Sequence, residues 1–132
     1  MATARFWREN PSRYNLAAAK CGVCGKVFFP PRGVCSQCHR KSIGKMQPLQ
    51  LKGEGEVFSH TVVHEAPSQM EMLKPYIVVM VKMDEGVMIT SQLIDCDPKD
   101  VKIGMRVRTT LRRLGEDGPA GVIYYGYKFA PA

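Results

Sequence analysis

The chain has 132 residues, 45% of them hydrophobic and 23% charged, which fits one globular domain or a domain with a small satellite. This composition excludes a disordered tail and a scaffold held only by disulfides. The longest apolar run, Tyr76 to Val81, is far shorter than the ~20 residues of a membrane-spanning helix. The first ten residues are charged and lack the apolar stretch of a secretory signal. We therefore expect a cytoplasmic protein without a membrane segment.

The formal net charge of +7 is concentrated in one part of the sequence. Residues 1–52 contain ten Lys and Arg and one acid, a balance of +9, whereas residues 53–132 have a balance of −2. Such asymmetry predicts that the first part meets something anionic. A phosphate-bearing ligand, a nucleic acid and an acidic protein face all satisfy this expectation.

The N-terminal elements are short. Residues 3–10 favour a helical arm, which we expect Pro11 to end. Residues 14–20 and 27–29 are typical of two ribbon strands, and Pro30-Pro31-Arg32 predicts a stiff extended connector. Residues 40–50 are basic and without a clear period, so we interpret them as a linker.

Four cysteines form a C-x2-C-x10-C-x2-C pattern: Cys21, Cys24, Cys35 and Cys38. Two tight turns that each present two sulfurs predict a tetrahedral metal site, and four thiolates leave no position open for substrate, so the metal is structural. We expect one Zn²⁺; a rubredoxin-like iron or a 4Fe–4S cluster uses the same ligands, and two disulfides are a further alternative. Gly25 and His39, which follow the second cysteine of each pair, both tolerate a left-handed backbone. A four-thiolate zinc centre carries −2, which would lower the net charge to about +5.

The second part of the sequence predicts strands over 51–64, 76–83, 87–94, 105–114 and 121–129. Gly53 and Gly55 predict a bulged, bent first strand. Asp97 followed by Pro98 is typical of a helix start, with Gly104 as its end. Five strands with a helix between the third and fourth indicate an oligonucleotide/oligosaccharide-binding (OB) barrel, with a small open sandwich as the alternative. We predict an arm and ribbon over 1–50 and a barrel over 51–132.

The remaining candidate residues have structural explanations. His60 and His64 share a strand face but lack a third metal ligand. Three aspartates fit helix capping better than a calcium loop: Asp95, Asp97 and Asp100. Cys96 is most simply a small buried hydrophobe. Three loop residues are candidates for contact with a partner: Met70, Met72 and Leu73.

The order of motifs resembles the zinc-ribbon/OB-fold acyl-CoA-associated proteins over nearly the whole chain. The N-terminal motifs that carry the resemblance are Phe6-Trp7, Lys20-Cys21-Gly22-Val23-Cys24-Gly25 and Phe28-Phe29-Pro30-Pro31-Arg32. The later motifs are Gly53-Glu54-Gly55, Thr61-Val62-Val63-His64, Ala66-Pro67, Pro75-Tyr76-Ile77-Val78, Asp95-Cys96-Asp97-Pro98, Ile103-Gly104-Met105 and Tyr124-Tyr125-Gly126-Tyr127-Lys128-Phe129. The chain departs from the family pattern at His39, where a glycine is usual. The fold class that we expect is mainly β: a helical arm and rubredoxin-like zinc ribbon followed by a five-stranded OB-fold barrel.

The resemblance implies a non-catalytic scaffold. Similar proteins accompany thiolase-fold enzymes, and the archaeal subtype joins acetoacetyl-CoA thiolase to hydroxymethylglutaryl-CoA (HMG-CoA) synthase at the start of the mevalonate route. An acyl-CoA intermediate would pass between the two enzymes within the complex. Four residues are candidates for contact with CoA phosphates or with a partner, chosen by charge and position alone: Arg13, Lys20, Lys26 and Arg32.

Two other functions stay open at this point. A nucleic-acid-binding ribbon and barrel would suit the basic N-terminal part, but Tyr76 is the one aromatic residue between 76 and 94, where such barrels place stacking residues. A hydratase or thioesterase acting on acyl-CoA is the third functional hypothesis. No recognised catalytic arrangement of side chains supports it.

Overall fold

The computed structural model describes residues 6–132. The predicted arm over 3–10 therefore lies partly outside the described residues. Within them, a 3₁₀ turn spans Phe6–Glu9 and is followed by helix α1, Asn10–Asn15. The prediction that Pro11 ends the arm is wrong, because Pro11 lies in the first turn of α1, where its missing N–H leaves no helical hydrogen bond unmade. The helix ends at Leu16, which adopts a left-handed φ of 53°.

A three-stranded antiparallel sheet forms the ribbon. Strand β1 spans Ala17–Cys21, β2 spans Val27–Phe28 and β3 spans Met46–Gln50, in the order β2-β1-β3. The prediction of an irregular linker over 40–50 is wrong. This segment contains a 3₁₀ turn at His39–Ser42 and all of β3, which pairs along β1 from Ala17 to Cys21.

Five further strands close into a barrel, as predicted. They are β4 (Glu54–Val63), β5 (Tyr76–Met83), β6 (Met88–Leu93), β7 (Arg106–Glu116) and β8 (Ile123–Pro131), in the order β4-β5-β6-β8-β7. A 3₁₀ turn, Ser68–Leu73, connects β4 to β5. The first barrel strand is irregular, as predicted, but its register with β5 shifts between Val57 and Ser59 rather than at Gly53 or Gly55.

Burial alternates strictly along β5, which pairs with β4 and with β6. Ile77, Val79, Val81 and Met83 are buried, and the intervening side chains point outwards. This period of two places a row of aliphatic side chains in the barrel interior. Gly55 of β4 lies against this strand, and a Cβ at Gly55 would come within 2.6 Å of the Lys82 carbonyl oxygen. The glycine is thus required for close strand approach.

The helix predicted from Asp97 to Gly104 does not form. Asp97 instead closes a turn, in which its carboxylate accepts the Lys99 N–H at 3.0 Å and its carbonyl accepts the Asp100 N–H at 2.9 Å. The Gly104 N–H donates to the Val57 carbonyl at 2.8 Å. Pairing with β4 therefore uses the hydrogen-bond donor that a continuing helix would need.

The chain divides into two compact units. One comprises the residues up to Lys52, Glu85–Val87 and Leu111–Tyr127, and the other comprises Gly53–Asp84, Met88–Thr110 and Lys128–Ala132. Strands β7 and β8 therefore contribute residues to both units. The predicted boundary at residue 50 between ribbon and barrel stays a prediction.

Candidate metal centre and ligand cleft

The four cysteines of the ribbon converge on one point. The sulfur atoms all lie within 4.8 Å of one another, and they belong to Cys21, Cys24, Cys35 and Cys38. All four are free thiols, and the Cys24 and Cys35 Sγ atoms are 3.6 Å apart. A disulfide would bring two sulfurs to about 2.05 Å, whereas the edge of a tetrahedron with 2.3 Å metal–sulfur bonds is about 3.8 Å. The sulfurs are therefore arranged for a metal ion.

The two cysteine turns repeat the same hydrogen bonds fourteen residues apart. In the first turn the Gly25 N–H donates to the Cys21 carbonyl at 2.9 Å, and the Val23 N–H points at the Cys21 Sγ at 3.4 Å. In the second turn, the corresponding bonds run from His39 to the Cys35 carbonyl at 3.0 Å and from Gln37 to the Cys35 Sγ at 3.4 Å.

Both turns close through a left-handed residue, with φ of 76° at Gly25 and 47° at His39. The expectation that histidine tolerates the position usually held by glycine is thus confirmed.

A buried serine fixes the second turn. Ser42 is 0% exposed, and its Oγ accepts the Cys35 N–H at 2.9 Å and donates to the His39 carbonyl at 2.6 Å. The sequence pattern did not point to Ser42, which looked like an ordinary residue after the turn. A hydroxyl three residues beyond a left-handed turn is the one signal that could have identified it.

Backbone donors and neighbouring thiols shift the sulfur pKa values in opposite directions. The Cys24 N–H is the main cause that lowers the pKa of Cys21 to about 7, against the effect of burial. Burial opposes ionisation of Cys35, but the N–H groups of Cys38 and Gln37 outweigh it and lower its pKa. The pKa of Cys38 rises to about 12, chiefly through its hydrogen bond with the Cys24 thiol. A bound cation would favour all four thiolates at once, because metals bind the deprotonated form.

The centre has a small core of its own. Cys21, Phe28 and Cys35 are buried together, and Cys38 and Met46 pack against them. This cluster buries little apolar area, so it gives the ribbon little stability. A metal held by the four cysteines would be the main source of stability here. When bound it would hold the two turns together, and it would leave no open coordination position for chemistry.

The four predicted CoA-contact residues fall into two groups by their surroundings. The Lys26 ammonium and the Arg32 guanidinium both lie over the ring of Phe28, at 5.6 and 5.5 Å from its centroid. Lys20, on β1, is exposed and pairs with Val27 of β2. Arg13 is on α1, where it forms an ion pair with Glu9 at 2.6 Å.

Arg13 lines a cleft of about 440 Å³ together with residues from three separate segments. The lining is Arg8, Glu9, Ser12, Arg13, Phe29, Pro30, Pro31 and Tyr127. Phe29 and Tyr127 meet edge to face with ring centroids 5.5 Å apart. Burial raises the pKa of Tyr127, and the charge of Arg13 acts in the opposite direction. The cleft therefore combines an aromatic wall, prolines and two guanidinium groups, and its volume is in the range of small-molecule sites.

The other candidate ligands do not form a metal site. In the described part of the chain, the ribbon cysteines are the one group of three or more potential ligands that could hold an ion. His60 and His64 are exposed. Cys96 is half-buried rather than fully buried, and its thiol donates to the Asp97 carbonyl at 3.5 Å. Burial, together with the charges of Asp100 and Asp97, raises the pKa of Cys96, the opposite of what an activated thiol needs.

The fold and the site define a class: a four-cysteine ribbon followed by a five-stranded OB-type barrel. Residues 8–44 match the family "ChsH2, rubredoxin-like zinc ribbon domain", and residues 49–112 match "ChsH2, C-terminal OB-fold domain". The chain belongs to the family of DUF35 domain-containing scaffold proteins. The predicted fold class and family membership are thereby confirmed.

Several relatives carry that scaffold name, and two of them illustrate the similarity. One, from Methanocaldococcus jannaschii, is 45% identical over 96% of this chain and 89% of its own length. The other, from Methanothermobacter thermautotrophicus, is 43% identical over 98% of this chain and 96% of its own length. A solved structure described as an Ltp2-ChsH2(DUF35) aldolase is 27% identical, with a TM-score of 0.72 over 99% of this chain and 98% of that one. None of the helices in the described part of the chain is long and apolar enough to span a membrane.

Proposed function

We propose that the chain is a non-catalytic scaffold that holds acetoacetyl-CoA thiolase and HMG-CoA synthase together in a cytoplasmic assembly. The observation that carries this proposal is the end-to-end similarity to scaffold proteins, which includes both the ribbon and the barrel. The aldolase complex named for the solved relative supports a role beside an enzyme. The choice of thiolase and synthase rests on the sequence resemblance described first.

The chemistry of the two enzymes explains why a scaffold would help. Condensation of two acetyl-CoA molecules to acetoacetyl-CoA is uphill, and the following condensation is downhill. An assembly that passes acetoacetyl-CoA directly to the synthase raises its effective concentration there. The scaffold contributes by positioning the two enzymes and needs no reactive group.

Zinc is the metal that we propose for the cysteine centre. The four-thiolate donor set and the match to a zinc ribbon domain support it. Metal analysis of the protein purified without added metal should give one zinc per chain. Visible absorption from iron–thiolate charge transfer, with iron in place of zinc, would contradict this assignment.

Direct contact with CoA is a second part of the proposal. CoA carries an adenine ring, a 3′-phosphate and a pyrophosphate. The cleft beside Arg13 offers an aromatic wall and guanidinium groups, which suit stacking and phosphate contacts respectively. Lys20, Lys26 and Arg32 offer further cations on the exposed side of the ribbon.

Co-expression with both enzymes tests the scaffold role. We expect the chain, the thiolase and the synthase to elute as one species in gel filtration, and native mass spectrometry to give the stoichiometry. Removal of the chain should separate the two enzymes. The proposal would be wrong if the chain migrates alone under these conditions while the enzymes are folded and active.

Calorimetric titration tests the CoA contact. Replacing Arg13 by Gln should weaken binding of CoA to the assembly by about tenfold, the loss typical of one charge-assisted contact. Arg112→Gln, an exposed arginine that does not line the cleft, is the matched control. Equal affinities for the two variants would remove Arg13 from the contact without affecting the scaffold proposal.

Nucleic-acid binding is the alternative function, favoured by the cations of the ribbon. Affinity for a single-stranded oligonucleotide would then fall steeply as salt is added. Exposed aromatic side chains should also carry part of the binding through base stacking. Replacement of Phe58, which is 57% exposed on β4, by Ala would test that contribution.

A further inference from the structure

We propose that the metal end of the ribbon binds an acidic, partly apolar face of the partner enzyme. The inference rests on the proposed scaffold function and names the surface that would serve it. We call this region the metal-end surface and define it by three apolar and three basic residues: Val23, Val34, Ile43, Arg40, Lys41 and Lys45. It is distinct from the cleft and from the three cations proposed for CoA.

Hydrogen bonds connect the segments that carry these residues. The Gly22 N–H, beside Val23, donates to the Lys45 carbonyl at 2.9 Å. The Ile43 N–H donates to the Arg40 carbonyl at 3.3 Å. On the other side, the Cys35 N–H, next to Val34, donates to the Ser42 Oγ at 2.9 Å. The six side chains therefore extend from one hydrogen-bonded group of turns around the cysteine centre.

The charge of this surface is uncompensated by nearby carboxylates. Arg40, Lys41 and Lys45 are exposed, and the sequence contains no acid between Glu9 and Glu54. Across residues 6–132, no carboxylate lies within 4.0 Å of these three cations. The filled cysteine centre would carry −2, which offsets only part of the seven positive charges between 17 and 52. A partner face of negative charge is the complement.

Apolar side chains are exposed among these cations. Val23 and Val34 are each 47% exposed and Ile43 is 62% exposed. Apolar residues surrounded by charged ones are the usual anatomy of a protein interface. They offer little to a nucleic acid, because single-stranded ligands are bound by stacking on aromatic rings, and no aromatic residue belongs to this surface. The occupant is therefore a protein.

Charge reversal tests the inference with the full chain and each purified enzyme. The probe is the purified thiolase and the purified synthase of the same organism, each immobilised and titrated with the full chain. Arg40→Glu with Lys41→Glu should weaken binding to one of the two enzymes by about tenfold or more, chiefly through slower association. The matched control is Lys99→Glu with Lys102→Glu, which reverses two exposed cations of the other unit.

An apolar pair of variants tests the other half of the surface. Ile43→Ser should weaken binding by about fivefold. Ile103→Ser, at a side chain 72% exposed in the other unit, should leave it unchanged. Each variant must retain one metal per chain, so that unfolding of a turn is not mistaken for loss of a contact.

Salt tests the charge of the surface on the unaltered chain. Raising NaCl from about 0.05 to about 0.5 M should slow association with the enzyme.

The outcomes separate this inference from the proposed function. If neither enzyme binds the unaltered chain, the scaffold proposal fails and the inference fails with it. If binding occurs but the metal-end variants behave like their controls, or association is insensitive to salt, only the inference is overturned. Loss of oligonucleotide binding in Arg40→Glu with Lys41→Glu, without loss of enzyme binding, would also overturn it.

Discussion

The ribbon and the barrel are stabilised in different ways. The barrel interior is filled by aliphatic side chains from several strands and by Phe129, which is 0% exposed. The ribbon buries a much smaller cluster, in which two of the three buried members, Cys21 and Cys35, are also candidate metal ligands. Apolar burial can maintain the first without help, whereas we expect the second to depend on a bound metal. Removal of the metal and truncation of a buried barrel side chain should therefore affect different parts of the chain.

The two regions also differ in how their charges are partnered. In the barrel, Arg106 binds Asp84 through two hydrogen bonds of 2.8 and 3.0 Å and has Glu54 at 3.8 Å. In the ribbon, Arg40 and Lys41 have no carboxylate of the described chain within 4.0 Å. Internally paired charges neutralise a surface, and unpaired charges of one sign attract a partner. Some barrel cations, such as Lys99 and Lys102, are also outside these ion pairs, but residues 53–132 contain eleven acids and residues 10–53 contain none. We therefore expect the ribbon, rather than the barrel, to meet an anionic partner through charge.

The largest effect should follow loss of the metal. Cys35→Ser removes a buried ligand, and we expect the purified variant to contain less than one metal per chain. Amide hydrogen exchange should then become fast in the two cysteine turns and stay slow at Val79 and Val81 of the barrel. Cys96→Ser, which changes the one cysteine outside the centre, should retain the metal. Equal protection of the turns in both variants would contradict the dependence of the ribbon on metal.

Metal affinity should rise with pH. The pKa of Cys38 is raised to about 12, so this thiol is protonated near neutral pH and must release its proton when a metal binds. Each released proton increases the apparent affinity about tenfold per pH unit, and acid therefore weakens binding. Competition with a chelator between about pH 6 and pH 8 measures this slope. A flat profile would show that the ligands do not exchange protons for metal.

The barrel should respond most strongly to loss of the buried aromatic side chain of Phe129. Phe129→Ala leaves a cavity where no part of the ring is exposed, and such substitutions destabilise a fold by about 3–5 kcal/mol. Denaturant unfolding followed by circular dichroism gives the free energy. The metal content should stay at one per chain while the barrel is folded, which is the reverse of the result expected for Cys35→Ser. A loss below about 1 kcal/mol would contradict the role of this ring in the core.

Ser42→Ala should have an intermediate effect, confined to the ribbon. The substitution leaves the buried Cys35 N–H and the His39 carbonyl without the serine hydroxyl, and an unsatisfied buried group costs about 1–3 kcal/mol. Because the ligands remain, we expect the metal to bind more weakly rather than to be absent. Ser36→Ala, at an exposed position of the same turn, is the control. Indistinguishable chelator competition by the two variants would contradict the role assigned to Ser42.

The sequence predicted the features that depend on neighbouring residues along the chain. The four cysteines were identified by spacing, the left-handed turn at His39 by residue type, and β5 by its β-rich apolar run. Strand β3 was missed because it contains Pro48 and polar residues, and because its pairing with β1 is not encoded locally. The prediction of a helix from Asp97 was wrong because the Gly104 N–H donates to the Val57 carbonyl of β4 instead of continuing a helix. The cleft could not be foreseen, since it joins Phe29 and Tyr127, which are far apart in sequence.

The smallest effect should come from the ion pair of the barrel. Asp84→Asn weakens the contact with Arg106, but both side chains are well exposed, at 39% and 50%, so water and salt screen their attraction. We expect the unfolding temperature to fall by less than about 4 °C, and the difference to shrink further in about 0.5 M salt.

In the ribbon, Arg40→Gln should leave the unfolding temperature unchanged, because this cation has no carboxylate partner among residues 6–132 to lose. It should act on partner binding instead, so the same loss of one charge would affect stability in one region and association in the other. A large fall in unfolding temperature for Arg40→Gln would show that the ribbon cations serve the fold, and the contrast between paired and unpaired charges would then no longer identify a binding surface.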